Sequence, residues 1–190
     1  MKDLIKARIQ DSINVKYELL NNDELLSVID CLANRIVSAI RNGNKLILCG
    51  NGGSASDALH FAGEFVGRFQ KERIAWPAIV LNADVAAITA IANDYGYDDV
   101  FARQAEAHVK QGDIFVGIST SGNSENVLRA MRVAKNMGAI TAALLGKDGG
   151  KIKEMVDYPI VVPSNVTARI QESHITIIHI LCEIAEEKIS

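Results

Sequence analysis

The chain has 190 residues, 48% of them hydrophobic and 23% charged, with a formal net charge of -3. That length and composition suit one globular domain with a sizeable core and exclude a disordered chain. The absence of any Lys/Arg run argues against nucleic acid as a partner. The opening "MKDLIKARIQDS" is charged throughout, so no signal peptide is expected, and no apolar stretch nears the roughly 20 residues that span a bilayer. Cys31, Cys49 and Cys182 are scattered and odd in number. They read as reduced thiols of a cytoplasmic protein, not as a disulfide frame.

In chain order, residues 1–42 read as a helical pair, with Ile5, Ile9 and Ile13 at i, i+4 spacing and a second helix from about Asp23 to Arg41 that stops at "NGN". Residues 43–190 read as an α/β core of the same single domain. Five short apolar runs, at 45–50, 78–82, 114–119, 140–146 and 158–163, read as buried strands. Helices are expected between them at 54–68, 84–93, 98–109, 124–137 and 149–156, with a long last helix at 166–188. Continuous apolar strands alternating with helices imply an α/β fold with a parallel sheet covered on both faces. Ligands bind such sheets beyond the carboxyl ends of the strands, so the loops after strands are the informative ones.

The loop after the first strand begins "CGNGGSASDALH". Gly50, Gly52 and Ala55 fit G-x-G-x-x-A, but the second strand does not end on the acidic residue that a dinucleotide site uses. No Gly-Lys-Ser/Thr follows, which excludes a nucleotide P-loop. Ser54 stands where a helix N-cap is expected, and a capped helix N-terminus can hold an anion. An ordinary capped turn explains this loop alone equally well.

The loop after the third strand, "GISTSGNSENV", is more specific. Ser119, Thr120, Ser121 and Ser124 bring four hydroxyls into six residues, with Gly122 to turn the backbone. One N-cap explains one hydroxyl; four suggest a phosphate cradle that needs no cation. Without a Lys or a Mg²⁺-binding Asp, the phosphate is expected to be a handle rather than the group transferred.

Taken together, "GNGGSASDALHFAGEFVGR", "AIANDYGYDDVF", "GISTSGNSENV", "GKDGG" and "ARIQESHITIIHIL" resemble the SIS (sugar isomerase) family, most closely its phosphoheptose isomerase branch. The resemblance spans nearly the whole chain. It implies a five-stranded parallel sheet between helices, with N-terminal helices serving oligomerisation into a homotetramer. It also implies an isomerase that interconverts sedoheptulose 7-phosphate and D-glycero-D-manno-heptose 7-phosphate. That reaction opens the route to nucleotide-activated heptose for lipopolysaccharide or a surface glycan.

His60 and Glu64 are i, i+4 and so share one face of the helix that starts at the first loop. Such pairs are common on surfaces. This one, however, lies on an amphipathic helix whose N-terminus points at the phosphate loop, with Glu64 some 15 Å along the axis from Ser54. An extended seven-carbon sugar phosphate could span much of that distance. His179 lies among Ile177, Ile178, Ile180 and Leu181, the company of a core histidine. The resemblance instead gives His179 a catalytic position and leaves His174 structural. An aldose–ketose isomerase needs a carboxylate base, an acid at the sugar oxygen and a stabilised oxyanion. By resemblance Glu64 is the base and His179 the acid.

The family also implies one zinc ion per subunit on His60, Glu64, Gln171 and His179. A ligating carboxylate is a poorer base, so the two roles of Glu64 compete. Matched substrate positions are Asn51, Gly52, Gly53, Ser54, Asn93, Asp94, Ser119, Thr120, Ser121, Ser124 and Gln171. Arg68 is a further candidate, set against a reading as a solvated helix end. Ala168 stands where the family can carry an acid. Gln171 and His179 are eight residues apart on one helix, about 12 Å in rise. A shared ion would require both side chains to bend strongly toward each other and is easier to form if at least one comes from a neighbouring subunit, which predicts sites completed across interfaces.

Three alternatives are carried. One is a non-catalytic SIS tetramer that binds the replication initiator; such relatives lack the residues matching Glu64 and His179. Another is a sugar-phosphate sensor, for whose companion module 190 residues leave no room. The third is an isomerase of another sugar phosphate.

Overall fold

Five parallel strands form one sheet in the order β2-β1-β3-β4-β5, where β1 is Leu46–Gly50, β2 Ala78–Val80, β3 Ile114–Ser119, β4 Ile140–Leu145 and β5 Tyr158–Val161. The computed structural model describes residues 1–189. Register is continuous across the sheet: Leu46 pairs with Ile114, Ile114 with Ile140, and Ala142 with Tyr158. Side chains alternate between two cores. Leu46, Leu48, Ile114 and Val116 face one side, while Ile47, Cys49 and Phe115 face the other. This two-sided burial is what makes each central strand a continuous apolar run.

Helices α2 (Asp23–Arg41), α3 (Gly53–Val66) and α8 (Thr167–Ile189) cover the first face. Their apolar residues Leu32, Ile36, Phe61, Phe65, Ile178 and Leu181 are almost fully withdrawn from solvent. On the second face lie α5 (Ala102–His108), α6 (Glu125–Asn136) and the short α7 (Gly150–Lys153), through Ala105, Val127, Met131 and Ile152. Helix α4 (Val85–Tyr95) flanks the β2 edge and has no buried residue, and α1 (Lys2–Leu20) buries only Val15. Asn22 caps α2 by accepting from the Leu25 N–H at 3.0 Å.

All five expected strands and the N-terminal helical pair are present. The sequence-based expectation misjudges two of the helices. The stretch 98–109 divides into a 3₁₀ turn at Tyr97–Asp99 and α5, and 149–156 shortens to the single turn α7. Both segments are too short for a periodic apolar pattern to set their ends. Among the described residues no helix is long and apolar enough to cross a membrane.

In this strand order β1 and β3 are neighbours, and the connections leaving them run to opposite sides. The crevice at their carboxyl ends is the topological switch point. The two loops singled out in the sequence are the two that leave β1 and β3.

Candidate active site

The β1 loop turns at Gly52, whose φ of 57° lies in the left-handed region that glycine enters freely. Gly52, not Ser54, is the N-cap of α3. Ser54 is 4% exposed, and its N–H bonds to the Asn51 carbonyl at 3.0 Å. The glycine reversal carries the chain into the helix two residues before the expected serine cap. Asn51 exchanges paired amide hydrogen bonds with Asn126 of α6, at 2.9 and 3.1 Å, and accepts another from the Tyr97 hydroxyl at 2.9 Å. Both ends of its side chain are thus engaged within the chain, where they tie the β1 loop to the start of α6.

In the β3 loop Ser124 does occupy the N-cap position of α6, but its hydroxyl makes no cap bond. It meets the buried Ser119 hydroxyl at 2.9 Å instead. The Ser121 hydroxyl accepts from the Asn123 N–H at 3.2 Å, and Thr120 and Ser121 are half-buried. Gly122 has φ 65°, and a Cβ there would collide with the Gly149 carbonyl. The "GKDGG" loop after β4 packs down at this point: the Lys151 N–H reaches the Asn123 side chain at 3.1 Å and the Ile152 N–H reaches the Gly122 carbonyl at 3.0 Å. Three strand-end loops therefore meet here and bring together hydroxyls, amides and a helix N-terminus, groups that can hold an anion without a cation.

A second centre lies where α3 packs on α8. His60 Nε2 is 3.0 Å from Glu64 Oε1 and 3.3 Å from His179 Nε2. Potential ligand atoms of the three residues all lie within 4.8 Å of one another. Two imidazoles and a carboxylate converging in this way are a donor set that fits a divalent ion of the zinc type. His60 is exposed, while Glu64 and His179 are half-buried, so His179 is not a core histidine despite its sequence neighbours. The Phe69 ring stacks on His179, with centroids 5.5 Å apart.

Gln171 does not join this group. A Cβ on Gly53 would collide with its amide, so Gln171 lies against the first loop, about two turns of α8 before His179. Within one chain the expected four-residue ligand set is therefore three residues, with Gln171 beside the β1 loop.

Other expected residues are more dispersed. Arg68 is 58% exposed just past α3 and faces Glu72 at 3.6 Å, as a solvated helix end does. Asn93 and Asp94 lie in the last turn of α4 rather than after it, exposed and bonded to each other at 2.8 Å. Among the described residues no hydrogen bond links Arg68, Asn93 or Asp94 to the loops or the cluster. His174 is buried, as the structural reading requires, with Nε2 2.9 Å from the Leu145 carbonyl. Burial lowers its pKa to about 4.

Sequence reasoning missed Asp57, Tyr97 and Asn126. Asp57 is one turn before His60 on α3 and has a buried, unpartnered Oδ2. Burial raises its pKa, and nearby His60 opposes the rise. Its spacing from His60 and Glu64 was the available signal, since 57, 60 and 64 fall on one helix stripe.

The model of the SIS domain matches residues 14–146. The chain belongs to the SIS domain family. The phosphoheptose isomerase of Aneurinibacillus thermoaerophilus is 51% identical over 189 residues, which cover 100% of this chain and 96% of that relative. Solved phosphoheptose isomerase structures from Neisseria gonorrhoeae and Francisella tularensis superpose with TM-scores of 0.92 and 0.94, at 41% and 40% identity, each covering 98% of both chains. Within the family the chain sits in the phosphoheptose isomerase branch, and it is an isomerase.

Proposed function

We propose that the protein interconverts sedoheptulose 7-phosphate and D-glycero-D-manno-heptose 7-phosphate through an enediol. One observation carries the reading: a carboxylate and an imidazole, Glu64 and His179, converge on the helix that leads out of the β1 loop. The phosphate is held by the β1 and β3 loops, and the sugar extends along α3. Glu64 takes a proton from C1 of the ketose, exchanges it with solvent at the enediol stage and delivers a proton to C2. His179 donates a proton to the oxygen on C2 and takes one back from the hydroxyl on C1, so both side chains end as they began. His60, between the two, orients both side chains. A zinc ion held by His60, Glu64 and His179 would supply Lewis-acid polarisation of the sugar oxygens.

Incubation with sedoheptulose 7-phosphate in D₂O tests the reading. Aldose product carrying deuterium at C2 is expected. No product, with turnover of a pentose or hexose phosphate run in parallel, would move the assignment to another sugar phosphate. Product without deuterium would mean that the transferred hydrogen does not exchange with solvent, which a shielded proton relay and a hydride shift both allow; loss of turnover in Glu64→Gln would keep the proton relay and unchanged turnover would replace it by a hydride shift.

The assembly belongs to the same proposal. Leu4, Ile5, Ile9, Ile13, Tyr17 and Leu20 leave an exposed apolar row on α1, a face that a second copy would cover. The reading is a cytoplasmic homotetramer in which Gln171 of one subunit completes the cluster of another. Three free cysteines fit a reducing compartment. Light scattering on the purified protein checks the tetramer. The product feeds activated heptose for lipopolysaccharide or a surface glycan.

A further inference from the structure

The segment between α3 and β2, residues 67–77, has no regular structure, yet it is tied down at one point by a residue 109 or more positions away in the chain. Glu186 of α8 is 1% exposed. Its Oε1 accepts from the Phe69 N–H at 2.8 Å and from Arg73 Nε at 3.0 Å; its Oε2 accepts from the Gln70 N–H at 2.8 Å and the Lys71 N–H at 2.9 Å. Four donors saturate one carboxylate. Arg73 passes the constraint on: it donates to the Glu64 carbonyl at 2.6 Å and to the Phe65 carbonyl at 3.0 Å, and its guanidinium stacks 3.6 Å from the centre of the Trp76 ring.

The anchor lies two turns beyond His179 on the same helix. The peptide it grips at Phe69 is the one whose ring lies on the His179 imidazole, nearly parallel at 30°. The arginine it holds bonds to the backbone of Glu64 itself. The proposed base and acid are therefore both touched by a network whose centre is a buried ion pair that contacts neither of their reacting atoms. A loop that served only to connect α3 to β2 would need no saturated buried carboxylate, which is costly to desolvate unless fully paired.

We propose that Glu186, Arg73 and Phe69 are positioning residues: the carboxylate fixes the loop, and the loop holds the Phe69 ring against His179 so that its Nε2 stays aimed at His60 and Glu64. The inference rests on the reading of His179 as the acid, and the experiment separates the two. Phe69→Leu removes the ring and keeps apolar bulk. Phe69→Tyr keeps the ring. Glu186→Gln replaces one acceptor oxygen with a donor facing N–H groups.

The chain has only four histidines, so ring ¹³C-labelled histidine gives spectra that single substitutions assign. Loss of the Phe69 ring current should move the His179 Cε1–H signal in Phe69→Leu and Glu186→Gln, and Phe69→Tyr should restore it. With sedoheptulose 7-phosphate, the first two variants should lose about tenfold or more in kcat with KM within about twofold, because a misaimed acid harms the transition state and not ground-state binding. An unmoved His179 signal in Phe69→Leu overturns the proposal, as does a raised KM with kcat intact. If Glu186→Gln does not fold, Phe69→Leu alone decides. Full activity in His179→Gln would remove the acid reading instead, and would leave the ring-current result standing.

Discussion

His60 and His179, 119 residues apart in the chain, face each other through their Nε2 atoms at 3.3 Å. Glu64 Oε1 stands 3.0 Å from the same His60 nitrogen. Potential ligand atoms of all three side chains lie within 4.8 Å of one another, so the group is placed to hold a divalent ion of the zinc type.

Glu64→Gln should lower kcat by about 10³-fold, in the range that a positioned general base contributes. Sugar-phosphate affinity, read by calorimetry, should stay near the native value because the amide keeps its shape. Near-normal turnover would remove Glu64 from the base role.

Glu64 and His179 meet within one chain. Of the expected pair Gln171 and His179, it is therefore Gln171 that a shared ion would need from a neighbouring subunit. Inactive Glu64→Gln chains mixed with inactive His179→Ala chains should form mixed assemblies that stay inactive. Activity recovered on mixing would show that the two residues act across an interface.

Ser119→Ala combined with Ser121→Ala should raise KM by about tenfold or more, the effect of losing hydrogen bonds to a charged group, with a smaller change in kcat. A collapsed kcat with unchanged KM would mean that the bound phosphate takes part in the chemistry.

Metal content separates the two roles of the cluster. Purified protein should carry about one zinc per chain by elemental analysis, and His60→Ala should carry almost none, since only Glu64, one imidazole and a weak amide oxygen would remain. If the native protein is metal-free and chelators leave its rate unchanged, the cluster works by proton transfer alone.

His174 gives stability a pH dependence with a definite sign. Its pKa falls from 6.5 to about 4 on folding, because burial disfavours the charged ring. Between these values the unfolded chain binds more protons than the folded one. Stability is therefore complete above about pH 6.5 and declines as pH falls towards 4, by about 2 kcal/mol between pH 7 and pH 5. Urea midpoints at those two pH values should differ more for the native protein than for His174→Gln. Equal differences would assign the slope to other groups.

Much of this was legible in the sequence because it is local. Alternation of apolar strands with helices gave the two-faced parallel sheet, since burial on both sides leaves no polar face to interrupt a strand. Glycines and hydroxyls after β1 and β3 singled out the two loops that leave the topological switch point, and i, i+4 spacing put His60 and Glu64 on one face of α3. The cap was misread at Ser54, where a left-handed glycine takes the position, while Ser124 is the N-cap of α6 but its hydroxyl meets Ser119 and makes no cap bond. Helix rise alone set Gln171 and His179 about 12 Å apart along α8, too far to share an ion without strong bending of both side chains. Only the tertiary structure decided which of the two joins His60, because the pairing of α3 with α8 follows from how both helices pack on one sheet face. The same packing put Phe69 on His179, Glu186 under the 67–77 loop and Asn51 against Asn126. These contacts join residues 75 or more positions apart, beyond any period a strand or helix can impose on the chain.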